Sequence, residues 1–419
     1  MADGTTSPSK STAKIAVIGC GWWSQGWHLP CIDRNKNASL VAIVDTSSHP
    51  KSCLNNNLES LSSLEKRYNT KAFSSVNDLM NDALSSDLDG VLIATPHATH
   101  YSIAKSVLSD SSSRREKPLN ILMEKPMSTD IQHAIDLYEL ALQTTEKKSS
   151  ENDKNTHGKF WINHSANFRI QTKLARETIV SGKIGRIRHI TAFFASPLMW
   201  IFDDPGNKGW NEPIEGMLGN GFAWGQSSHL FAWLYHVCPM LRPIEVFCNM
   251  THSDVTGADV SHSATIRCGT NSTSDGSSSD DDGENIVLSV SGTSLLPGNA
   301  HSDPPVAKEV QIQIFGSEGS LLYIGNDRDP TSGNLELRKP DGSIEILHEQ
   351  FDFENLDNEG LGPESLQNFV QLCRRHGPNA DDVYAGANVM DGLRSVQTID
   401  AMYRSSASLK PERVLHPKA

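Results

Sequence analysis

A short apolar run that stops at glycine constrains this chain more than any other feature of its sequence. Residues Lys14–Gly19 are typical of a buried parallel strand, and Gly21 continues a tight turn after it. A helix-compatible segment then extends to about Asn35. A second buried strand, Leu40–Asp45, ends on an acid at the separation that suits a carboxylate gripping a ribose 2′-hydroxyl. The pattern predicts a dinucleotide-binding strand–helix–strand unit.

Two further apolar strands end in proline, Gly90–Pro96 and Asn120–Pro126. Proline cannot donate to a β ladder, and it pushes the preceding residue towards an extended conformation. Lys125 is therefore expected at the carboxyl end of its strand, with its amine projecting from the sheet edge. Ligands bind at that edge in open parallel sheets, so Lys125 can steer a substrate hydroxyl and share its proton.

The alternation of strands and helices over residues 14–167 predicts a doubly wound parallel sheet with right-handed crossovers. From about residue 168 to 419 the pattern changes, because strands follow one another with short turns such as Gly316–Gly319. This part is predicted to be a second domain with a mostly antiparallel sheet. Near its end, Leu366, Phe369, Val370 and Cys373 form one helical face.

Composition excludes several classes of partner. The net charge of −13 argues against a nucleic-acid or anionic-membrane surface. No apolar run approaches the roughly 20 residues that span a bilayer. The seven cysteines are scattered without metal-type spacing, which predicts no metal site and a reducing, cytoplasmic compartment.

Four polar stretches contain too few apolar residues to offset the entropy of ordering them. Residues 1–13 are rich in Ser and Thr and are predicted to be a disordered tail. Asp110–Lys117, Thr144–Gly158 and Gly269–Asn285 are predicted to be surface insertions, the last of them disordered.

With the glycine turn and Glu124-Lys125-Pro126 both present, the chain resembles the Gfo/Idh/MocA family of oxidoreductases. The matching motifs are Thr95-Pro96 with His100, Glu124-Lys125-Pro126, Asn167-Phe168-Arg169, Gly219-Asn220-Gly221 with His229, Phe315–Gly319 and Tyr403–Ser406. The resemblance implies an amino-terminal Rossmann domain and a carboxyl-terminal α/β domain with a large, open, mostly antiparallel sheet. It also implies a homodimer or homotetramer formed through that sheet.

The resemblance further implies an NAD(P)-dependent dehydrogenase or reductase that acts on a CH–OH group of a sugar, polyol or related compound. Lys125 would hydrogen-bond the reacting hydroxyl, and His229 would accept its proton. The implied cofactor-binding residues are Gly19, Gly21, Trp22, Trp23, Asp45, Thr95, Pro96, Glu124 and Lys125. Candidate substrate contacts are Asn167, Arg169, Trp224 and Gln226. NAD is expected rather than NADP, since Asp45 would repel a 2′-phosphate.

The sequence departs from the family pattern at two positions. Ser24 stands where glycine or alanine allows the closest helix–strand packing, so a slightly wider turn with retained cofactor binding is expected. Gly225 stands four residues before His229, where the family commonly places an aspartate on the same helical face. Gln226 fills part of that gap with an amide that cannot accept a proton.

Each candidate also has a structural interpretation. The glycines could cap a turn, Asp45 a helix, and His229 could be a core histidine before the apolar stripe of its helix. Lys125 could be a surface lysine, and the Trp22-Trp23 pair could simply bury area. At the level of the whole protein, two alternatives stay open: an NAD-dependent glycosidase of the same fold, and a nucleotide-binding regulator without chemistry.

Overall fold

The first sheet consists of six parallel strands. The structure is a computed structural model, and it describes residues 12–114, 119–146, 158–270, 285–299, 306–351, 360–374 and 383–417, apart from positions 215 and 328. The strands are β1 Ala13–Ile18, β2 Ala38–Val44, β3 Lys71–Phe73, β4 Gly90–Ile93, β5 Asn120–Met123 and β6 Phe160–Ile162. Their order, β3-β2-β1-β4-β5-β6, confirms the predicted doubly wound Rossmann sheet.

Helices cover both faces of this sheet. They are α1 Leu29–Arg34, α2 Leu61–Tyr68, α3 Val76–Asn81, α4 His100–Arg114 and α5 Ile131–Glu146. Successive side chains of a strand point to opposite faces. On β1, Ile15 and Val17 accordingly join one apolar cluster, which includes Leu29 of α1. Ala16 and Ile18 join the cluster on the other face.

One helix from the end of the chain completes the first sheet. In α10, Glu364–Arg374, the four residues of the predicted apolar face are buried in the same cluster as Ile15 and Val17. Gly90 of β4 allows this approach, because a Cβ there would lie 2.4 Å from the Sγ of Cys373. The chain therefore returns to the Rossmann domain at α10, before the last strand of the second sheet is formed.

The second sheet has nine strands. These are β7 Ile187–Ala195, β8 Leu241–His252, β9 Asp259–Thr270, β10 Ile286–Thr293, β11 Glu309–Gly316, β12 Ser320–Asn326, β13 Asn334–Arg338, β14 Ile344–Glu349 and β15 Glu412–Arg413. Their order is β14-β13-β12-β11-β7-β10-β9-β8-β15, and all neighbours are antiparallel except the pair of β7 and β10. The mostly antiparallel sheet is thus confirmed.

The remaining helices lie with this second sheet. They are α6 Ile170–Val180, α7 Met199–Phe202, α8 Lys208–Asn211, α9 Ser228–Val237 and α11 Val389–Ser408. Apolar residues of α9 and α11, such as Trp233 and Met402, share a core with Ile266 and Leu288 on the inner side of the sheet. Among the described residues, no helix is both long and apolar enough to cross a bilayer.

The structure changes several predicted boundaries. Strand β1 begins at Ala13, inside the stretch predicted as a tail, and the eleven residues before Thr12 lie outside the described part. Helix α4 continues to Arg114 and so covers the start of the first predicted insertion, which was expected to be a loop. Strand β9 includes Gly269 and Thr270, while residues 271–284 of the third insertion, like 147–157 of the second, lie outside the described part.

Candidate active site

The glycine turn leaves its backbone open to a ligand. Gly19 has φ +95°, and a Cβ there would lie 2.5 Å from the carbonyl oxygen of Ala94, so the turn requires glycine. A Cβ on Gly21 would have no atom within 4 Å, which leaves room for a pyrophosphate to approach the backbone. Ser24 donates a hydrogen bond to Gly19 O (2.5 Å) and begins a π-helical turn, Ser24–His28.

Asp45 joins the end of β2 to the glycine turn. One carboxylate oxygen accepts a hydrogen bond from the backbone N–H of Cys20, and the other from that of Ser47, both at 2.8 Å. The carboxylate is therefore held beside the turn and keeps further lone pairs for a ribose hydroxyl. This geometry suits NAD, because the same charge would repel the 2′-phosphate of NADP.

A buried histidine fixes the two strand ends that carry X-Pro. One ring nitrogen of His100 lies 2.7 Å from Pro126 O, and the other lies 3.0 Å from Thr95 O. The Thr95 hydroxyl accepts a hydrogen bond from Thr99 (2.9 Å). His100 thus ties the loop after β4 to the loop after β5, the one that contains the cis peptide Lys125-Pro126.

Glu124 is the centre of a hydrogen-bond network that the sequence did not indicate. Its Oε1 accepts hydrogen bonds from Trp23 Nε1 (3.1 Å) and Asn163 Nδ2 (2.7 Å), and lies 2.8 Å from His28 Nε2. Burial opposes ionisation, but the contacts with His28, Lys125 and Asn163 outweigh it and lower the pKa of Glu124 to about 2. Glu124 is therefore a fixed negative charge at the sheet edge.

Lys125 crosses from the first sheet to the second domain. Its Nζ donates a hydrogen bond to Gly225 O (2.6 Å) and lies 5.1 Å from the centre of the Trp210 ring. Burial lowers the pKa of Lys125 to about 8, although the charge of Glu124 opposes this shift. An amine with this pKa can donate a hydrogen bond and change protonation state near physiological pH.

His229 lies one helical turn beyond the atom that holds Lys125. It is partly exposed at the start of α9, and neither ring nitrogen has a hydrogen-bond partner in the described part of the chain. Burial, reinforced by the charge of Lys125, lowers the pKa of His229 well below its usual value. The ring is therefore neutral at pH 7, and its lone pair can accept a proton. His164 lies edge-on to it, with ring centroids 5.8 Å apart.

Trp210 occupies the space that the family's aspartate would need. A Cβ on Gly225 would lie 3.3 Å from the Trp210 ring and 3.5 Å from Phe202. Trp210 also packs on His97, with ring centroids 4.9 Å apart. Gly225 itself belongs to a π-helical turn, Ala223–Ser227, whose carbonyl at Gly225 accepts the bond from Lys125. An aromatic wall therefore replaces a carboxylate in this site.

The four candidate substrate residues lie in different environments. Gln226 is half-buried in the π-helical turn before α9, and no contact of its amide with another described residue is found. Arg169 and Asn167 are buried between β6 and α6, each with an unpartnered polar atom. Trp224 is 2% exposed, stacks on Tyr403 and donates its N–H to Gly219 O (3.2 Å), so its surroundings are those of a core residue.

Two of the cofactor candidates, Trp22 and Trp23, are aromatic residues of the turn after β1. Trp23 is 44% exposed and stacks on Trp27, and the ring centroids of Trp22 and Trp23 lie 5.7 Å apart.

Residues that sequence reasoning did not assign to the site are His28, Asn163, His164 and Trp210. Asn163 and His164 directly follow β6, so the rule that strand ends line the crevice could have indicated them. No group of His, Cys, Asp and Glu suited to a metal ion occurs in the described ranges.

The fold and this crevice define a two-domain protein with a dinucleotide-binding Rossmann domain. The chain belongs to the Gfo/Idh/MocA oxidoreductase family. A family model described as an oxidoreductase family with an NAD-binding Rossmann fold matches residues 13–150, and the model of a GFO/IDH/MocA C-terminal domain matches residues 172–322. The resemblance inferred from the sequence motifs is thereby confirmed, as is an NAD-binding domain.

Solved structures share the fold over nearly the whole chain. The WlbA dehydrogenase from Bordetella pertussis, in complex with NADH and UDP-GlcNAcA, is 18% identical, with 97% of this chain and 99% of that chain covered and a TM-score of 0.66. An inositol dehydrogenase homolog from Azotobacter vinelandii, complexed with NAD⁺, is 14% identical, with 97% and 98% covered and a TM-score of 0.67. The apo scyllo-inositol dehydrogenase from Lactobacillus casei is 17% identical, with 97% and 99% covered and a TM-score of 0.63. No curated protein sequence matches the chain.

Proposed function

We propose that the protein is an NAD-dependent dehydrogenase or reductase that acts on a CH–OH carbon of a sugar, polyol or related compound. The convergence of Lys125 and His229 carries this proposal. Lys125 follows strand β5 of the Rossmann sheet, and His229 lies in the first turn of α9 in the second domain. The Nζ of Lys125 donates to the carbonyl of Gly225, four residues before His229. The structures of sugar and inositol dehydrogenases with the same fold support the substrate class.

In the oxidising direction, protonated Lys125 donates a hydrogen bond to the reacting hydroxyl. Neutral His229 accepts the proton of that hydroxyl, and the reverse direction uses the same two groups. Bound NAD supplies the hydride acceptor. The negative charge of Glu124, close to Lys125, favours the protonated form of that amine. Gln226 orients a substrate hydroxyl without accepting its proton. Trp224 is left out of this proposal because its polar atom is already bonded in the core.

A screen of sugars, polyols and their acids with NAD and NADP, followed at the nicotinamide absorbance, tests this function. Reduction or oxidation of the cofactor by one compound class supports the dehydrogenase. Product formation without net cofactor turnover would favour the glycosidase alternative. Tight NAD binding with no activity on the whole panel would favour the non-catalytic regulator.

We expect NAD to bind more tightly than NADP, because the carboxylate of Asp45 is held beside the glycine turn. Losing a hydrogen bond to a charged group costs about 1.5–3 kcal/mol, so Asp45→Ala should weaken NAD binding roughly 10- to 100-fold while affecting NADP less. Titration calorimetry of both cofactors measures this. Asp45→Asn is the matched control, since it keeps one acceptor for Cys20 N. Wild-type affinity for NADP equal to that for NAD would contradict the assignment.

We also propose that the outer face of the second sheet joins two copies of this chain. The side chains at its centre are small or uncharged and exposed: Thr191, Ser263, Thr265, Ser289 and Gln311. A nine-stranded face without charges at its centre suits the isologous packing of a homodimer, or of a homotetramer built from two. Light scattering should give a multiple of the 45.9 kDa chain mass, and Thr265→Arg should lower it. A monomeric wild type would refute this interface.

All seven cysteines are free thiols, and six of them are buried. Free thiols persist in reducing compartments, so we place the protein in the cytoplasm or a similarly reducing compartment.

A further inference from the structure

The segment that follows β6 contains five buried polar atoms without a partner in the described part of the chain. They are Asn163 Oδ1, His164 Nδ1, His164 Nε2, Asn167 Oδ1 and Arg169 Nε. Buried polar atoms in folded proteins nearly always have a partner, and a bound ligand is one common explanation for those that do not. Five of them within Asn163–Arg169, at the carboxyl edge of the parallel sheet, indicate a place for a polar ligand.

The orientation of the two amides is fixed by their other contacts. Asn163 Nδ2 donates to Glu124 Oε1 (2.7 Å), and Asn167 Nδ2 donates to Ala232 O (3.1 Å). Both partners are oxygens that only accept hydrogen bonds, so the amide nitrogens must face them. The unpartnered Oδ1 atoms are therefore correctly assigned as carbonyl oxygens, which accept hydrogen bonds. They suit the hydroxyl groups of a ligand. His164 adds one donor and one acceptor, because burial lowers its pKa to about 3 and keeps the ring neutral.

Two of the three positive charges around this segment have a nearby carboxylate, and the third does not. Lys308 forms an ion pair with Asp327 (3.3 Å), and Lys125 lies beside Glu124 in sequence and space. Arg169 is only 6% exposed, and no carboxylate of the described chain lies within ion-pair distance of its guanidinium. An uncompensated buried charge is strongly unfavourable. The guanidinium of Arg169 is therefore a positive charge that an anionic ligand group could neutralise.

Arg169 lies close enough to the catalytic histidine to affect it. After burial, positive charges lower the pKa of His229, and those of Lys125, Lys308 and Arg169 are among them. The ring of His164, which has no partner for either nitrogen, lies edge-on to the ring of His229 with centroids 5.8 Å apart, and the charge of Arg169 acts on that same histidine.

We propose that Arg169 and His164 bind an anionic group of the substrate, a carboxylate or a phosphate, so that the substrate is an acidic sugar or polyol. This inference rests on the proposed dehydrogenase function. The guanidinium fork matches such a group with two parallel hydrogen bonds. The oxygens of Asn163 and Asn167 accept hydrogen bonds from neighbouring hydroxyls. The reacting hydroxyl then lies between Lys125 and His229.

Calorimetric titration of the NAD-loaded protein tests the subsite without requiring turnover. The probes are glucose, galactose, mannose and myo-inositol, together with the uronic acids and the phosphate esters of these compounds. We expect at least one anionic probe to bind tenfold or more tightly than its neutral parent. Comparing the uronic acids with the phosphate esters shows whether the subsite prefers a carboxylate or a phosphate.

Variants identify the residue responsible. Arg169→Gln should reduce the preference for the anionic probe by roughly 10- to 100-fold, and Arg169→Lys, which keeps the charge but not the fork, should reduce it less. Arg188→Gln is the matched control, because Arg188 is exposed on β7. If Arg169→Gln fails to fold, as seen in its melting curve, Arg169→Lys carries the comparison.

Two results would overturn the subsite: no preference for anionic probes across the panel, or a preference that Arg169→Gln retains. A turnover assay on the same panel separates this from the proposed function. Oxidation of neutral polyols by wild type and Arg169→Gln alike would keep the dehydrogenase and remove the subsite. Anion binding that depends on Arg169, with no oxidation of any probe, would keep the subsite and remove the dehydrogenase.

Discussion

Lys125→Ala is expected to lower turnover by about 10²-fold or more on any substrate that the wild type oxidises, the scale typical of a positioned proton-transfer or charge-stabilising group. The variant should fold, because β5 ends before Lys125 and the amine contributes only its bond to Gly225 O and its contact with the Trp210 ring. Its NAD affinity should stay close to that of wild type. Lys71→Ala is the control, since Lys71 is an exposed lysine of the same sheet that forms an ion pair with Asp82. Unchanged turnover in Lys125→Ala would make the residue a bystander.

The pH dependence distinguishes two roles for this amine. Burial lowers the pKa of Lys125 to about 8, so the amine is protonated below that pH and neutral above it. If the protonated form stabilises the negative charge on the substrate oxygen, kcat/KM for oxidation falls as pH rises through about 8. A rise through the same pH would instead make neutral Lys125 the base. Initial-rate profiles between pH 6 and 10 separate the two cases.

The sequence was sufficient for the edge of the first sheet because the signals there are local. Each strand is short, apolar and ended by glycine, an acid or proline, and parallel strands bring those ends together. This local reasoning pointed to Gly19, Asp45, Thr95 and Lys125, and the structure has each of them just beyond the end of its strand. The turn chemistry needs only a few neighbouring residues, so no long-range information was required.

The network around Glu124 could not be predicted because its members are far apart in the chain. His28 and Asn163 lie 96 and 39 residues from Glu124, on different elements. Each has an ordinary local sequence context, and only the order of β1, β5 and β6 within the sheet brings them together. Trp210 is similar: nothing in its own sequence neighbourhood indicates that its ring fills the space beside Gly225.

Packing partners and several strands, β7 among them, were also beyond local patterns. The apolar face of α10 was predicted correctly, but nothing in four apolar residues states which sheet they cover. Strand β7 was not predicted, although it pairs with both β10 and β11 near the middle of the sheet. Its alternation is broken between Ile187 and Ile190, opposite a register shift at Gly316, and this irregularity hides the period of two.

The second large effect is expected at His229. His229→Ala should lower kcat for oxidation by about 10²- to 10⁴-fold, because it removes the group proposed to accept the proton of the substrate hydroxyl. Gln226→Ala is the matched control from the same turn of chain. Its amide orients the substrate without accepting a proton, so this variant should mainly raise KM. Equal losses in kcat for both variants would assign His229 only an orienting role.

The acid side of the pH profile gives an independent measurement of the same role. A histidine must be neutral to accept a proton, and burial lowers the pKa of His229 well below 6.5. Wild-type activity should therefore persist as pH falls through 6.5 and decline only at lower pH, while His229→Ala should lack that decline. Imidazole added to His229→Ala should restore part of the turnover, because the base can re-enter the space left by the ring. Full activity of His229→Ala without imidazole would leave Lys125 as the proton acceptor and refute the proposed division of roles.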